Sequence, residues 1–109
     1  KERWDFQGLV VADWDSIGEM EEHGYARDLS DAARKAINAG NDVDMESSAY
    51  LDHLEELIAA GEVSEQTLDN AVRRVLTLKF ALGLFAVVHC VVTDLQQVFE
   101  GEVSRGKMN

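Results

Sequence analysis

The sequence predicts an α/β fold organised around a pair of parallel strands, and three observations carry that expectation. Phe6-Gln7-Gly8-Leu9-Val10-Val11-Ala12-Asp13-Trp14 is a short, largely apolar run that closes on a carboxylate beside a large aromatic. Its β-branched residues suit a buried parallel strand that delivers Asp13 to its C-terminal end. A helix-length segment ending in Gly40 follows a polar stretch, and Asn41-Asp42-Val43-Asp44-Met45 stands directly behind it. That last segment is too short for a helix and suits a second strand. Strand, loop, helix and strand from Gly8 to Met45 make a βαβ unit with a short helix-to-strand turn. Its crossover is expected to be right-handed.

Ahead of the first strand, Trp4 and Phe6 flank Asp5 and are expected to pack under the bottom of the strand. Asp15 to Tyr25 is polar and interrupted by Gly18 and Gly24, which predicts a loop with one helical turn. Loops that follow strands in parallel α/β folds are where substrate contacts gather. Ser30 is the expected N-cap of a helix over Asp31 to Ala39, with Gly40 in the left-handed position behind it. Ala32, Ala33, Ala36 and Ile37 share one face of that helix, and their small size lets it lie close to its neighbours. Asp31 near its start and Lys35 nearer its end also suit the helix dipole.

Two further helices follow. Leu51, Leu54, Leu57 and Ile58 recur at helical spacing and stop at Gly61. Leu68, Val72, Val75, Leu76 and Leu82 do so behind a Ser64 cap and stop at Gly83. The short turn Gly61-Glu62-Val63 predicts that these helices are adjacent. From Ala86 the texture changes: Val87 to Val92 is β-prone, and Thr93 to Asn109 is polar and weakly patterned.

Composition narrows the function. The chain has 109 residues, no proline and a formal net charge of −11, so phosphate backbones and anionic membrane surfaces are repelled at long range. Neither nucleic acid nor a membrane is expected as a partner. No apolar run approaches the roughly 20 residues of a membrane-spanning helix. Cys90 is the only cysteine, which excludes an intrachain disulfide and a four-cysteine zinc site and leaves the compartment open. The chain begins at Lys1, as expected of residues cut from something longer.

Among chemistry-bearing residues, Asp13 and Trp14 stand out. By residue pattern alone, an aspartate at a strand end is more often a cap or loop acceptor than a nucleophile. An aromatic beside a carboxylate is also how sugar faces are held, since C–H surfaces stack on rings while hydroxyls bond to acids. Asp42 and Asp44, spaced two apart, supply too few oxygens for a hard cation and are expected to serve as caps and loop acceptors. His23, His53 and His89 are scattered without ligand spacing. Glu19, Glu21 and Glu22 form a solvated loop face that could supply a carboxylate beside Asp13, and Cys90 reads as a small buried hydrophobe. No metal and no cofactor are expected.

Four ordered segments carry a resemblance. Trp4-Asp5-Phe6-Gln7-Gly8-Leu9-Val10-Val11-Ala12-Asp13-Trp14 and Ala39-Gly40-Asn41-Asp42-Val43-Asp44-Met45 are followed by Ile58-Ala59-Ala60-Gly61-Glu62-Val63. The last is Ala71-Val72-Arg73-Arg74-Val75-Leu76, running on to Gly83-Leu84-Phe85. Over residues 2–85 the chain resembles the C-terminal part of the barrel domain of family 3 glycoside hydrolases, of β-glucosidase type. The resemblance implies a segment 1–85 of a (β/α)8 barrel and a non-matching tail 86–109. It further implies retaining hydrolysis of terminal β-D-glycosides, with Asp13 as the catalytic nucleophile and Trp14 at the substrate pocket. Ala12 departs from the serine common before the nucleophile. The tail departs too, where the family runs into a polar, proline-containing linker.

A closed barrel of this kind takes about 250 residues, so 109 residues are expected to form a fragment and not a complete barrel. The resemblance places the acid that protonates the leaving group in a later domain, and the earlier sugar-gripping strands ahead of this segment. The expected partners are therefore a carbohydrate in the intact enzyme and the missing barrel and C-terminal domains. An isolated chain is expected to be inactive. Its unpaired strand edges and exposed apolar helix faces favour self-association or a mostly helical rearrangement, with Val87 to Val92 a candidate extra strand. The alternative function is a non-catalytic structural or oligomerising module derived from the barrel.

Overall fold

The computed structural model describes residues 1–86. The chain divides into two compact units, Lys1–Leu76 and Thr77–Asn109. The first contains a 3-10 turn, Glu2–Trp4, and the helices α1 (Glu19–Glu22), α2 (Leu29–Asn38) and α3 (Ala49–Ala59). It also contains α4 (Glu65–Ala81) as far as Leu76.

The predicted strands are reduced to one isolated parallel bridge between Val11 and Val43, and no longer strand forms among the described residues. The pairing has parallel sense. Val43 donates its N–H to the Val10 carbonyl at 3.2 Å and accepts the Ala12 N–H at 2.9 Å, while Asp42 N–H also reaches the Val10 carbonyl at 2.9 Å. Beyond the bridge, Asp15 N–H bonds to the Met45 carbonyl at 2.9 Å. The expected burial fails as well: Ala12 is buried, but Val11 is 45% exposed. Among the described residues no third segment pairs with these two, and two short parallel segments form only a marginal ladder and leave a β-branched run partly uncovered. Trp4 and Phe6 do not pack beneath the strand either, Trp4 being 84% exposed.

Helix α2 is the packing centre. Asp28, not Ser30, is its N-cap: Asp28 has the extended backbone that a cap requires, and its Oδ1 accepts the Asp31 N–H at 2.8 Å. Ser30 falls inside the first turn. Ala32, Ala33, Ala36 and Ile37 are buried as their spacing predicts, and Gly40 behind the helix has φ +93°. α3 packs on α2, and α1 touches α2. α3 makes its main close approach to α2 and not, as expected, to α4. The core is dominated by alanines, with Ile17, Ile37, Leu57 and Val63 as its larger members.

The other helical faces are less fully covered than their periodicity predicts. Leu57 is buried and Leu54 and Ile58 partly so, yet Leu51 is 85% exposed. On α4 only Ala71 is buried; Val72 and Leu76 are exposed, as is Leu82 just past the helix end. The Ser64 cap is present, its Oγ accepting the Thr67 N–H at 3.0 Å.

One buried carboxylate ties these parts together. Asp42 accepts the Val10 N–H at 2.9 Å and the Arg74 guanidinium of α4 at 2.7 Å, and it also pairs with the Lys1 ammonium. Its side chain is almost wholly enclosed.

In the second unit, the described residues comprise the end of α4 and a turn at Gly83. There the Phe80 and Phe85 rings sit 4.9 Å apart at 47°. The expectations for Val87 to Val92, His89, Cys90 and the polar tail to Asn109 lie outside the described residues. No helix among the described residues is long and apolar enough to cross a membrane.

Removing the Asp42 carboxylate leaves two cations and the Val10 N–H without their shared acceptor. Asp42→Ala is expected to destabilise the first unit by about 3 kcal/mol, read as a lower urea midpoint at an unchanged m-value. The exposed Leu51→Ala is expected to change stability by less than about 0.5 kcal/mol.

Candidate functional site

Ala12 is the last residue of its segment bonded to Val43, so the bridge ends just before Asp13 and Trp14. Both residues are exposed, Trp14 at 70%. The Asp13 carbonyl accepts the Ser16 N–H and the Ser16 hydroxyl, each at 3.3 Å. Asp15 adopts φ +55°, a left-handed conformation that aspartate tolerates better than most residues. The chain therefore turns sharply behind Asp13, leaving its carboxylate and the Trp14 ring open to solvent.

The loop behind Asp13 carries the acidic residues that the sequence singles out. Glu19, Glu21 and Glu22 are exposed on α1, and His23 lies 3.9 Å from Glu19 on the surface. Asp15, Gly18, Glu21, Glu22, Leu29 and Ser47 line an open hollow of about 570 Å³. It begins two residues beyond Asp13 and includes a residue just past Met45, so it lies where the chain leaves the parallel pair.

An ion cluster at the start of α2 holds the far end of this loop. The Asp31 carboxylate is buried, paired with Arg34, 3.0 Å from Lys35 Nζ and 3.1 Å from the Arg27 N–H. Lys35 also donates to the Tyr25 carbonyl and lies 4.9 Å from the centre of the Tyr25 ring. Arg34 reaches on to Glu62 at 3.4 Å. The hydrogen bonds from Arg34, then Lys35, then the Arg27 amide hold the Asp31 carboxyl far below the usual carboxylate range. Sequence reasoning placed Asp31 only as a partner of the helix dipole. The signal for more was present, since Arg34 and Lys35 stand three and four residues along the same helix.

Asp42 and Asp44 are both occupied by protein groups. Asp44 accepts the Ser47 hydroxyl at 2.6 Å and the Tyr50 N–H at 3.3 Å, which ties the start of α3 to the second segment. Tyr50 donates its hydroxyl to the Asn41 carbonyl at 2.9 Å. Burial, reinforced by the charges of Asp44 and Asp42, pushes the Tyr50 phenol above its ordinary range. No group of three or more histidine, cysteine or carboxylate side chains among the described residues is placed to hold a metal ion.

This geometry, an exposed acid and aromatic at the end of a parallel pair, sits in a chain whose residues 1–78 match the family described as "Glycosyl hydrolase family 3 N terminal domain". The chain belongs to that family. It is 41% identical over 85 residues to a periplasmic beta-glucosidase of Salmonella typhimurium, covering 78% of this chain and 11% of the relative. A lysosomal beta glucosidase of Dictyostelium discoideum is 40% identical over 84 residues, 74% of this chain and 10% of that protein. A putative beta-xylosidase of Formosa agariphila is 34% identical over 102 residues, 93% of this chain and 13% of the relative, so that similarity extends past residue 85. Among solved structures, beta-glucosidase from Listeria innocua superposes with a TM-score of 0.75 at 40% identity, over 77% of this chain and 12% of that one. The chain thus spans about a tenth of the length of these relatives, and its described residues do not form a complete barrel.

The lowered Asp31 ionisation gives a pH prediction with a definite sign. A carboxylate ionising more readily in the folded state contributes stability that is complete above its unfolded pKa of about 4. That contribution declines as pH falls below this value and ends only beneath the folded pKa. Asp31→Asn is therefore expected to lower the urea midpoint at pH 7, with the gap from the parent chain narrowing as pH falls towards 3. A gap that does not change with pH would remove the ion cluster as its cause.

Proposed function

We propose that this chain is the C-terminal part of a family 3 barrel and supplies the nucleophile, Asp13, of a retaining β-glycosidase acting on terminal β-D-glycosides. The observation that carries the reading is the placement of Asp13. It stands exposed beside Trp14, directly past the parallel bridge, within a segment of a glycoside hydrolase family. In parallel α/β barrels this end of the strands bears the chemistry. The Asp13 carboxylate attacks the anomeric carbon as the glycosidic bond breaks, giving a glycosyl-aspartate, and Trp14 offers its ring to the sugar face. A second carboxylic acid protonates the departing oxygen and then deprotonates the water that releases the sugar. That acid comes from outside this chain, as do the side chains that grip the sugar hydroxyls. One carboxylate without them lacks most of the differential stabilisation of the transition state, so the chain alone is inactive.

The test is to replace the corresponding segment of the Listeria innocua beta-glucosidase with residues 1–85 and treat the chimera with an activated 2-fluoroglycoside. Mass spectrometry is expected to find one adduct on the peptide containing Asp13, lost in Asp13→Asn. The isolated chain is expected to give none. A folded chimera labelled at another residue, or not at all, would overturn the assignment. Trp14→Ala in the same chimera is expected to raise KM about tenfold or more, as befits about 1.4 kcal/mol of lost ring contact.

A further inference from the structure

We propose that Asp44 is a positioning residue for the nucleophile. By tying down the loop behind Met45, its carboxylate fixes the Met45 carbonyl, and that carbonyl holds the turn after Asp13. The inference rests on the reading of Asp13 as nucleophile. It uses only contacts that these residues make with one another, so it does not depend on what lies on either side of the parallel pair.

Asp13 is held from both sides by the second segment. The Ala12 N–H before it bonds to the Val43 carbonyl at 2.9 Å, and the Asp15 N–H behind it bonds to the Met45 carbonyl at 2.9 Å. Asp44 stands between these two acceptors. The Asp15 bond is the last between the two segments among the described residues, and it secures a residue whose backbone is left-handed, at φ +55°. Without it the turn that begins at the Asp13 carbonyl has only its two 3.3 Å bonds from Ser16.

The Met45 carbonyl is only as well placed as the loop that follows it. Glu46 has φ +81° and Ser48 φ +60°, conformations that residues with a side chain keep only where their surroundings enforce them. Asp44 supplies that enforcement. Its carboxylate accepts the Ser47 hydroxyl at 2.6 Å and the Tyr50 N–H at 3.3 Å, and the Ser47 oxygen accepts the Ala49 N–H at 3.3 Å. Ser48, at the cap position of α3, makes no capping bond with its own side chain, so Asp44 and Ser47 satisfy the first free amides of that helix in its place. Since α3 packs on α2, the carboxylate joins the residue before Met45 to the packed helices. Replacing it frees the loop to relax, the Met45 carbonyl shifts, and the Asp13 carboxylate loses its fixed direction of attack. Displacement of a reacting group by about 1 Å is enough to slow a reaction on the order of a hundredfold.

The experiment has two arms. Amide hydrogen exchange on the full chain tests the link itself: in Asp44→Ala the Asp15 amide is expected to exchange at least about tenfold faster than in the parent, with the Ala12 amide changing less than about twofold. Labelling by an activated 2-fluoroglycoside, in the Listeria innocua chimera carrying residues 1–85, tests the consequence for Asp13. There Asp44→Ala is expected to lower the limiting rate constant of adduct formation about tenfold or more. The half-saturating reagent concentration and the final adduct per folded protein are expected to stay near the parent's. A purely structural role would do the reverse, leaving less protein to label at an unchanged rate constant. Asp44→Asn keeps an acceptor for the Tyr50 N–H and a polar group beside Ser47, and is expected to recover most of the rate. A labelled parent chimera whose Asp44→Ala variant reacts at the parent's rate constant would overturn this inference alone, as would an Asp15 amide indifferent to Asp44→Ala. So would an Asp44→Asn variant as slow as Asp44→Ala. A folded parent chimera with no adduct on Asp13 would overturn the nucleophile reading and this inference with it, whatever the Asp15 amide shows.

Discussion

The Asp42 carboxylate is the interaction on which the first unit depends most. It takes the Val10 N–H from the segment leading to Asp13, and it is charge-paired with Arg74 on α4 and with Lys1 near the chain start. The rest of the pairing between these segments is a single bridge with its few backbone bonds. A side chain that accepts from one segment while belonging to the other therefore fixes their register. Two cations offset the cost of enclosing its charge, which would otherwise be prohibitive.

Around that joint the packing is thin. Most core positions are alanines, whose burial removes little apolar surface from water, while several large side chains remain in solvent. The small residues do have a use. They let α3 lie against α2. The helices thus act as a cradle for two short extended pieces, and the apolar surface left outside the cradle is available to other strands.

The region around Asp13 follows the same plan at a smaller scale. The bridge positions the residue, a left-handed Asp15 turns the chain away from it, and the Asp31 cluster holds the far end of the loop against α2. Asp13 is thereby left exposed at the end of the parallel pair, in a chain of glycosyl hydrolase family 3. Asp42 and Asp31, by contrast, direct their charges inward and hold structure.

By itself the sequence determined what local chemistry controls. The spacing of Ala32, Ala33, Ala36 and Ile37 identified the buried face of α2. Gly40 and Gly61 marked helix ends, Ser64 capped α4, and four ordered segments between Trp4 and Phe85 carried the resemblance to the family. Only the tertiary structure decided what depends on neighbours distant in sequence. Leu51 and Val11 carry apolar patterns indistinguishable from buried ones, yet stay exposed because no described element covers them. The cap of α2 moved from Ser30 to Asp28 because backbone geometry, and not residue type, selects between two competent caps. The pairing of Asp42 with Arg74, 32 residues apart, leaves no periodic trace. Short-range patterns record which residues could form an element, whereas burial and charge pairing are set by what the fold brings alongside.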